Sequence, residues 1–547
     1  MKWKNFLSAA RLYWRAIFSI IWPLVLLSII IIEDSQPRRC LFVVLLMIGY
    51  WLTEAIHIII TSFLPILLLP ILNVLSTTEV CKSYMDGANM MFLVSIILAS
   101  SVQYSRLHER IALVMISVIG CSPKKLQLGI VTITAFNSMW LSNTATTNVM
   151  ISIVSSILSE FESHGIVNVY DTSEEKPSAS QLELEAMKKP TQATECYYIS
   201  VAYASIIGSI GTLIGTEVNI TFKGLFERTF RDGPTISFGN FMLTTLPVII
   251  IILMFSTLVL QIWFLGLFRP NSKEAKVIAV SEEVEAIAKS IIDLKRKELG
   301  RITLHEIAVS FCYLLAILFW IIRSSHLVTG WIKTIKIKIN DSTIGVAVVI
   351  LMFCIPIKHK NMVTGLTTWK LVHKIMPWGV LFLIGSGLAL ANAIKVSTMD
   401  NYMFSLTGYL NDTNPYIVLV ISCISVAFLT QFTTNVVLAN ITLPIMVHLA
   451  QDLHINPLFF MYPVTLSCSF TFMFPVSAPP NSVAAMTCNM ATKDMIKVGF
   501  FILIISLLIL FVASWIFAVF VWDISVFPDW AKNTTASSIL DKSQEDF

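Results

Sequence analysis

Charge is what this sequence has least of. Asp, Glu, Lys and Arg make up 13% of its 547 residues, about half of the roughly 25% that a soluble domain carries. The shortage excludes a water-soluble enzyme, a nucleic-acid module and a disordered scaffold. The charge that is present is balanced, since 38 Lys and Arg against 34 Asp and Glu leave +4. That gives a polyanion such as nucleic acid nothing to hold. Cysteine supplies no framework either: the nine are scattered without a C-x-x-C pair and read as apolar filler, not as disulfides or a zinc site. Also absent are H-E-x-x-H, a Walker G-x-x-x-x-G-K-[ST] sequence and any polar stretch long enough for a nucleotide-binding domain. An intramembrane metalloprotease and an ATP-driven pump are thereby excluded, and no enzyme or resident cofactor is expected.

What fills the chain is one apolar run after another, near 13–32, 41–75, 90–104, 127–158, 197–220, 241–268, 303–323, 343–357, 376–394, 414–430, 436–450, 457–475 and 496–522. A bilayer span takes about 20 such residues, and backbone groups in lipid must bond within their own helix. The pattern predicts an all-α polytopic membrane protein, with several runs too short or too broken by polar residues to be simple spans. Lys2, Lys4, Arg11 and Arg15 precede the first run, and Glu33-Asp34 follows it instead of a cleavage site. The first helix is therefore retained, with the N-terminus cytoplasmic. Two polar stretches interrupt the series: an acidic loop at 159–196 and a basic segment of helical periodicity at 269–301, placed in the cytoplasm by its Lys and Arg. Asn533-Thr534-Thr535 is a glycosylation sequon after the last span, and its use would put the C-terminus outside the cell.

The chain also repeats itself. Phe92-Leu93 and Leu98-Ala99 recur as Phe382-Leu383 and Leu388-Ala389, an offset of 382 − 92 = 290. Asn143 in S-N-T matches Asn435 in T-T-N (435 − 143 = 292), and Asn219 matches Asn481 (481 − 219 = 262). The shorter offset is what an acidic insertion confined to the first half produces. Paired repeats with broken segments at matching positions point to a secondary transporter whose site lies near the membrane midplane.

Two polar clusters mark that site. Ser138 to Asn148 and Thr430 to Asn435 crowd hydroxyls and amides into apolar surroundings, where each group must face protein, water or ligand. Both read as tips of re-entrant hairpins that expose backbone N–H groups. Such tips hold a carboxylate or sulfate without Arg or Lys, while hydroxyl, amide and carbonyl oxygens suit sodium. Gly211, Gly215 and Thr216, then Pro479, Pro480 and Asn481, mark the breaks of two further spans. Gly385-Ser386-Gly387 reads as close helix packing.

In these motifs the chain resembles the divalent anion:sodium symporter family, in its animal dicarboxylate, citrate and sulfate branch that takes in the insect INDY-type carriers. The matching residues are Trp51-Leu52-Thr53-Glu54-Ala55, Leu107 to Leu113 (L-H-E-R-I-A-L), Met139 to Ala145 (M-W-L-S-N-T-A), Gly215-Thr216 with Asn219, Thr434-Asn435-Val436 leading to Leu443-Pro444, and Pro479-Pro480-Asn481. They spread from about residue 15 to about residue 530.

The resemblance implies about eleven transmembrane helices plus two re-entrant hairpins in two inverted repeats, a dimerising scaffold, and a transport domain that moves as an elevator. It implies scaffold helices at 1–89, a first transport part at 90–240, second-repeat scaffold helices at 241–375, a second transport part at 376–495 and a last span with an extracellular tail at 496–547. One sodium ion would meet Ser138, Ser142, Asn143 and the carbonyl of Gly215; a second would meet Thr430, Thr433, Thr434 and Asn435. Substrate carboxylates would meet Asn143, Thr144, Thr216, Asn435 and the Ala478-Pro479 turn. The expected activity is sodium-coupled transport of succinate, citrate and related anions across the plasma membrane by a homodimer. A cation-independent exchanger, a sulfate transporter and, in a different class, an anion channel stand as alternatives.

Three positions depart from the family pattern. Ala478 stands where many relatives have Thr, and Gln103 where an acidic residue is common. Glu217 puts a carboxylate where relatives have a small residue or proline. It reads either as a vestibule side chain bonded to Lys223, or as a group that sets proton coupling or substrate charge. Glu54 and His57 share a span end and read as a structural pair, while His305 and Glu306 read as interfacial.

Overall fold

The computed structural model describes residues 2–120, 122–164, 168–170, 190–269, 282–323, 340–359, 362–399, 413–522, 524 and 526–531. Of 2–12, 282–284, 358–359, 362, 514–515 and 517–520 it describes the backbone alone. The Asn533 sequon, most of the acidic stretch and 270–281 lie outside the described residues.

Helix α1 (Lys2–Ile32) leads into α2 (Gln36–Thr53), the short helices α3 (Ile58–Thr61) and α4 (Leu64–Ile71), and α5 (Thr77–Tyr84). Helix α5 starts on a capping box in which Ser76 and Glu79 each satisfy the other's backbone N–H. Next come α6 (Gly87–Tyr104), α7 (Leu107–Ile119), the hairpin helices α8 (Pro123–Ser138) and α9 (Asn143–Ser163), α10 (Gln192–Ser209), α11 (Glu217–Thr229) and α12 (Phe238–Phe264). The acidic stretch is thus helical at both ends and not a loop throughout. Helix α13 (Glu282–Glu298) carries the basic segment, with Lys295, Arg296 and Lys297 in its last turn. It is followed by α14 (Leu304–Arg323), α15 (Asp341–Cys354), a small antiparallel ribbon of β1 (Ile357–His359) and β2 (Met362–Thr364), and α16 (Trp369–Ile375). The chain closes with α17 (Trp378–Val396), the second hairpin α18 (Pro415–Leu429) and α19 (Asn435–Asp452), then α20 (Pro457–Cys468), α21 (Pro479–Cys488) and α22 (Thr492–Trp522).

Six helical stretches among the described residues are long and apolar enough to cross a membrane: Tyr13–Ile32, Thr77–Tyr104, Phe238–Phe264, Leu304–Arg323, Trp378–Val396 and Thr492–Ala513. Helices such as α18 and α20 are shorter because polar turns interrupt them. The outside of the bundle is apolar: Ile250, Met254 and Leu258 on α12, Phe311, Leu314 and Leu318 on α14, and Ile421, Ile424 and Phe428 on α18 are all exposed. A surface of this kind is stable against lipid and not against water. The chain is a multi-pass membrane protein.

The sequence repeat is a structural repeat. Helices α8 and α18 start 415 − 123 = 292 residues apart, α9 and α19 435 − 143 = 292, and α11 and α21 479 − 217 = 262. The halves interlock, because α11 packs against α17 and α19 of the second half while α21 packs against α9 and α10 of the first. Gly387 lets α17 and α19 close up: a Cβ there would lie 2.1 Å from Asn440 Oδ1. The Gly-Ser-Gly sequence is packing, as expected. All described cysteines are free thiols.

Ion pairs tie the remaining elements. Arg110 on α7 meets buried Glu306 on α14 at 3.0 Å and donates to the Leu299 and Gly300 carbonyls. Glu306 is therefore a buried partner and not an interfacial side chain. His305 bonds the Leu366 carbonyl at 2.8 Å. Glu54 and His57 form no ion pair with one another: Glu54 is the left-handed C-cap of α2, and the His57 ring accepts from Ile59 N at the start of α3.

Candidate functional site

Each hairpin tip forms where a helix stops for four or five residues and a second one starts on an amide. In the first, α8 ends at Ser138 and α9 begins at Asn143, with Ser142 as N-cap accepting from Ala145 N. Asn143 Oδ1 accepts from the N–H of Thr144 at 2.7 Å and from its hydroxyl at 3.2 Å. In the second, α18 ends at Leu429, α19 begins at Asn435 and Thr434 is the N-cap. Thr430 Oγ1 lies 3.1 Å from Asn435 Oδ1. No proline or glycine makes these tips; they form where side-chain oxygens can replace the missing helical bonds.

The tips dock on two breaks by matching contacts. Ser138 donates its hydroxyl to the Ser205 carbonyl at 2.6 Å, and Thr430, its repeat mate, donates to the Cys468 carbonyl at 2.7 Å. Here α10 stops at Ser209 and α20 at Cys468, and, apart from one 3-10 turn at Pro475–Ser477, helix does not resume until α11 at Glu217 and α21 at Pro479. Asn219 Nδ2 holds the first break by donating to the Ile210 and Thr212 carbonyls at 3.1 and 2.8 Å. Asn481 Nδ2 holds the second by donating to the Thr471 and Phe474 carbonyls at 2.8 and 3.2 Å. In both halves the asparagine thus reaches the carbonyl seven residues back. The two asparagines that served as repeat landmarks are clamps on the unwound segments.

Two side chains that sequence reasoning did not assign complete the docking. Thr212 donates to the Met139 carbonyl at 2.5 Å and accepts from Gly215 N at 3.1 Å, joining the first tip to its break. Gln431, the repeat mate of Met139, donates to the Phe470 carbonyl at 2.6 Å and accepts from Met473 N at 3.0 Å. The signal for both was their place at or beside the flagged motifs. Removing either clamp takes the amide donor from the Ile210 or the Thr471 carbonyl, while the Thr212 and Phe474 carbonyls still accept from Gly215 N and from Ser477, so Asn219→Leu and Asn481→Leu should each cost about 1–3 kcal/mol. Thermal unfolding in detergent checks this, and the repeat requires the two losses to be similar.

The structure brings the expected residues together in two groups. Ser138, Ser142, Asn143 and Thr144 sit at the first tip, joined through Thr212 to Gly215 and Thr216. Thr430, Thr433, Thr434 and Asn435 sit at the second, joined through Gln431 to the break that ends at Ala478 and Pro479. Ser138, Gly215, Thr216, Thr430 and Ala478 are buried, Asn143 and Asn435 half-buried, and Thr434 and Pro479 exposed. Buried oxygens lacking a hydrogen-bond partner concentrate here: Thr433 Oγ1, Asn219 Oδ1, Asn481 Oδ1, Ser469 Oγ and Thr471 Oγ1. A donor set of hydroxyl, amide and carbonyl oxygens with spare lone pairs fits a hard monovalent cation.

Glu217 opens α11 and is half-buried. Its expected partner Lys223 is committed elsewhere, to Glu227 at 2.6 Å, to Asp341 at 3.1 Å and to the Ile236 carbonyl. Six residues along a helix turn the side chain by about 240°, so the two leave different faces. Asp341 also pairs with Arg323 at 2.6 Å, which makes a buried four-charge cluster joining α11, α14 and α15. Gln103 is half-buried near the end of α6 and takes no part in the tips.

A multi-pass helical bundle whose two halves each set a hairpin tip against a broken helix defines a membrane transporter. The family model described as the sodium:sulfate symporter transmembrane region matches residues 8–522, and the chain belongs to this family, the divalent anion:sodium symporters. It is 32% identical to Protein I'm not dead yet of Drosophila melanogaster, over 97% of this chain and 93% of that one. It is 33% identical to the Na(+)/citrate cotransporter of Rattus norvegicus, over 94% of this chain and 96% of that one. Identity to Na(+)/dicarboxylate cotransporter 3 of Rattus norvegicus is 30%, over 96% of this chain and 95% of that one.

Proposed function

We propose that the protein is a secondary active transporter that moves di- and tricarboxylates such as succinate and citrate across the plasma membrane together with sodium. The observation that carries this reading is the pair of repeat-related tips, each bonded to a broken helix and surrounded by buried oxygens without partners. The printed names of the relatives, which couple Na(+) to citrate or dicarboxylate, support it. In this reading one sodium ion uses Ser138, Ser142, Asn143 and the Gly215 carbonyl, and the other uses Thr430, Thr433, Thr434 and Asn435. The carboxylates are held between Asn143, Thr144, Thr216, Asn435 and the Ala478-Pro479 turn. Glu217 sets coupling or substrate charge, since Lys223 does not neutralise it.

The same reading gives about eleven spans and two hairpins in inverted repeats. Scaffold parts at 1–89 and 241–375 form a homodimer, and transport parts at 90–240 and 376–495 move as an elevator. The N-terminus is cytoplasmic, and 496–547 ends in an extracellular tail glycosylated at Asn533.

Uptake of radiolabelled succinate by expressing cells in sodium medium tests the substrate. Uptake well above mock cells that unlabelled citrate competes away supports the reading. Uptake absent with surface expression confirmed, or competed by sulfate but not by citrate, overturns the carboxylate assignment in favour of sulfate.

A further inference from the structure

Helix α9 runs away from the first tip with a polar line on one side. Thr144, Asn148, Ser152 and Ser156 follow one another at four-residue spacing, which stacks them along one face for about 18 Å. Asn148, Ser152 and Ser156 are exposed, while Met150, Ile151, Val154, Ile157 and Leu158 of the same helix are buried. Such an open polar face is costly against lipid. Asn148, Ser152 and Ser156, with Val149 and Ile153 beside them, form the floor of a cleft of about 580 Å³ whose other walls come from α7 and α13. Around the cleft stand Arg106 and Lys295 with Glu109 and Glu298, two charges of each sign. Helix α13 is strapped over it: Ser117 of α7 donates to Asp293 at 3.1 Å, and Lys125 of α8 meets Glu285 at 3.2 Å. Lys295 reaches across to the floor and donates to both the hydroxyl and the carbonyl of Ser156.

We propose that this cleft is the aqueous path by which the transported anion passes between the first hairpin tip and the cytoplasm, with Lys295 narrowing its outer end. The inference rests on the carboxylate reading above and adds a route and a positioning residue to it. The hydroxyls and the amide of the stripe replace water around a carboxylate one step at a time, starting at Thr144. The balanced rim lets a dianion pass without trapping it, where an all-basic rim would hold it. The Lys and Arg at the end of α13 put the mouth on the cytoplasmic side.

Single variants S152C and S156C of the full chain, treated with the membrane-impermeant thiol reagent MTSES, test the path. Both should be labelled in inside-out vesicles and spared in intact cells. Excess succinate should slow labelling of S152C, and K295M should speed it by about threefold, the scale of a partly exposed charged contact. Untreated-background labelling is set by the wild-type chain, and a denatured sample shows that each new thiol can react. Labelling from outside the cell, no labelling when the denatured sample reacts, or a rate indifferent to both succinate and K295M would overturn the path. If wild-type cells take up no succinate, the carboxylate reading fails on its own, while sidedness and the K295M effect still decide whether the cleft is open to water.

Discussion

Gly215→Ala should abolish transport without removing the protein from the membrane. At Gly215 a Cβ would lie 2.2 Å from the Ser209 carbonyl oxygen, a backbone atom that cannot swing aside. Accommodating it requires the first break to move, and with it the Gly215 carbonyl, Thr216 and the Thr212 link to the hairpin tip. A displacement of roughly 1 Å within a bound site costs on the order of a hundredfold in rate, so succinate uptake per surface molecule should fall by about that factor. Asn219 still clamps the break, so folding survives. Surface biotinylation alongside uptake separates the two effects. Wild-type uptake by this variant would mean that the Gly215 carbonyl and its neighbours take no part in the site.

Asp341→Asn should act on stability instead. The Asp341 carboxylate is buried between Lys223 at 3.1 Å and Arg323 at 2.6 Å, and both cations are themselves buried. Neutralising it takes the shared carboxylate away from two buried cations, of which Lys223 keeps its contact with Glu227. Breaking a buried ion network by removing one partner costs about 3–5 kcal/mol, mostly because the stranded charge cannot be solvated. The variant should therefore lose most of its folded yield and unfold at a clearly lower temperature in detergent. A charge-conserving Asp341→Glu variant should recover part of the loss. Unchanged thermal stability in Asp341→Asn would mean that water reaches the cluster.

Much of this architecture was legible because its causes are local. Apolar runs gave the helices, and the offsets of 292 and 262 residues gave the repeat that reappears in the starts of α8 and α18 or α11 and α21. The hairpin tips could be read because hydroxyls and amides clustered in lipid-like surroundings have to be satisfied somewhere. What could not be read were contacts between distant parts of the chain. Ser138 finds the Ser205 carbonyl and Thr430 the Cys468 carbonyl, and a carbonyl carries no residue-type signal. The Lys223 partners were missed for the same reason. The near neighbour Glu217 looked available, whereas the distant Asp341 arrives only through tertiary packing. Glu306 looked interfacial because its partner Arg110 lies 196 positions earlier. The 159–196 stretch reads as loop from its acidic composition, yet its two ends belong to α9 and α10.

In the proposed function two repeat-related tips hold sodium beside a carboxylate substrate. That arrangement is tested most directly by measuring succinate uptake as sodium is raised from zero, with choline holding the ionic strength. Two cooperating cation sites predict no uptake in choline and a sigmoidal rise with sodium. Thr433→Ala, which removes one of the buried oxygens without a partner, should shift that curve to higher sodium. Equal uptake with and without sodium would contradict that arrangement and make the protein an exchanger or a proton-coupled carrier.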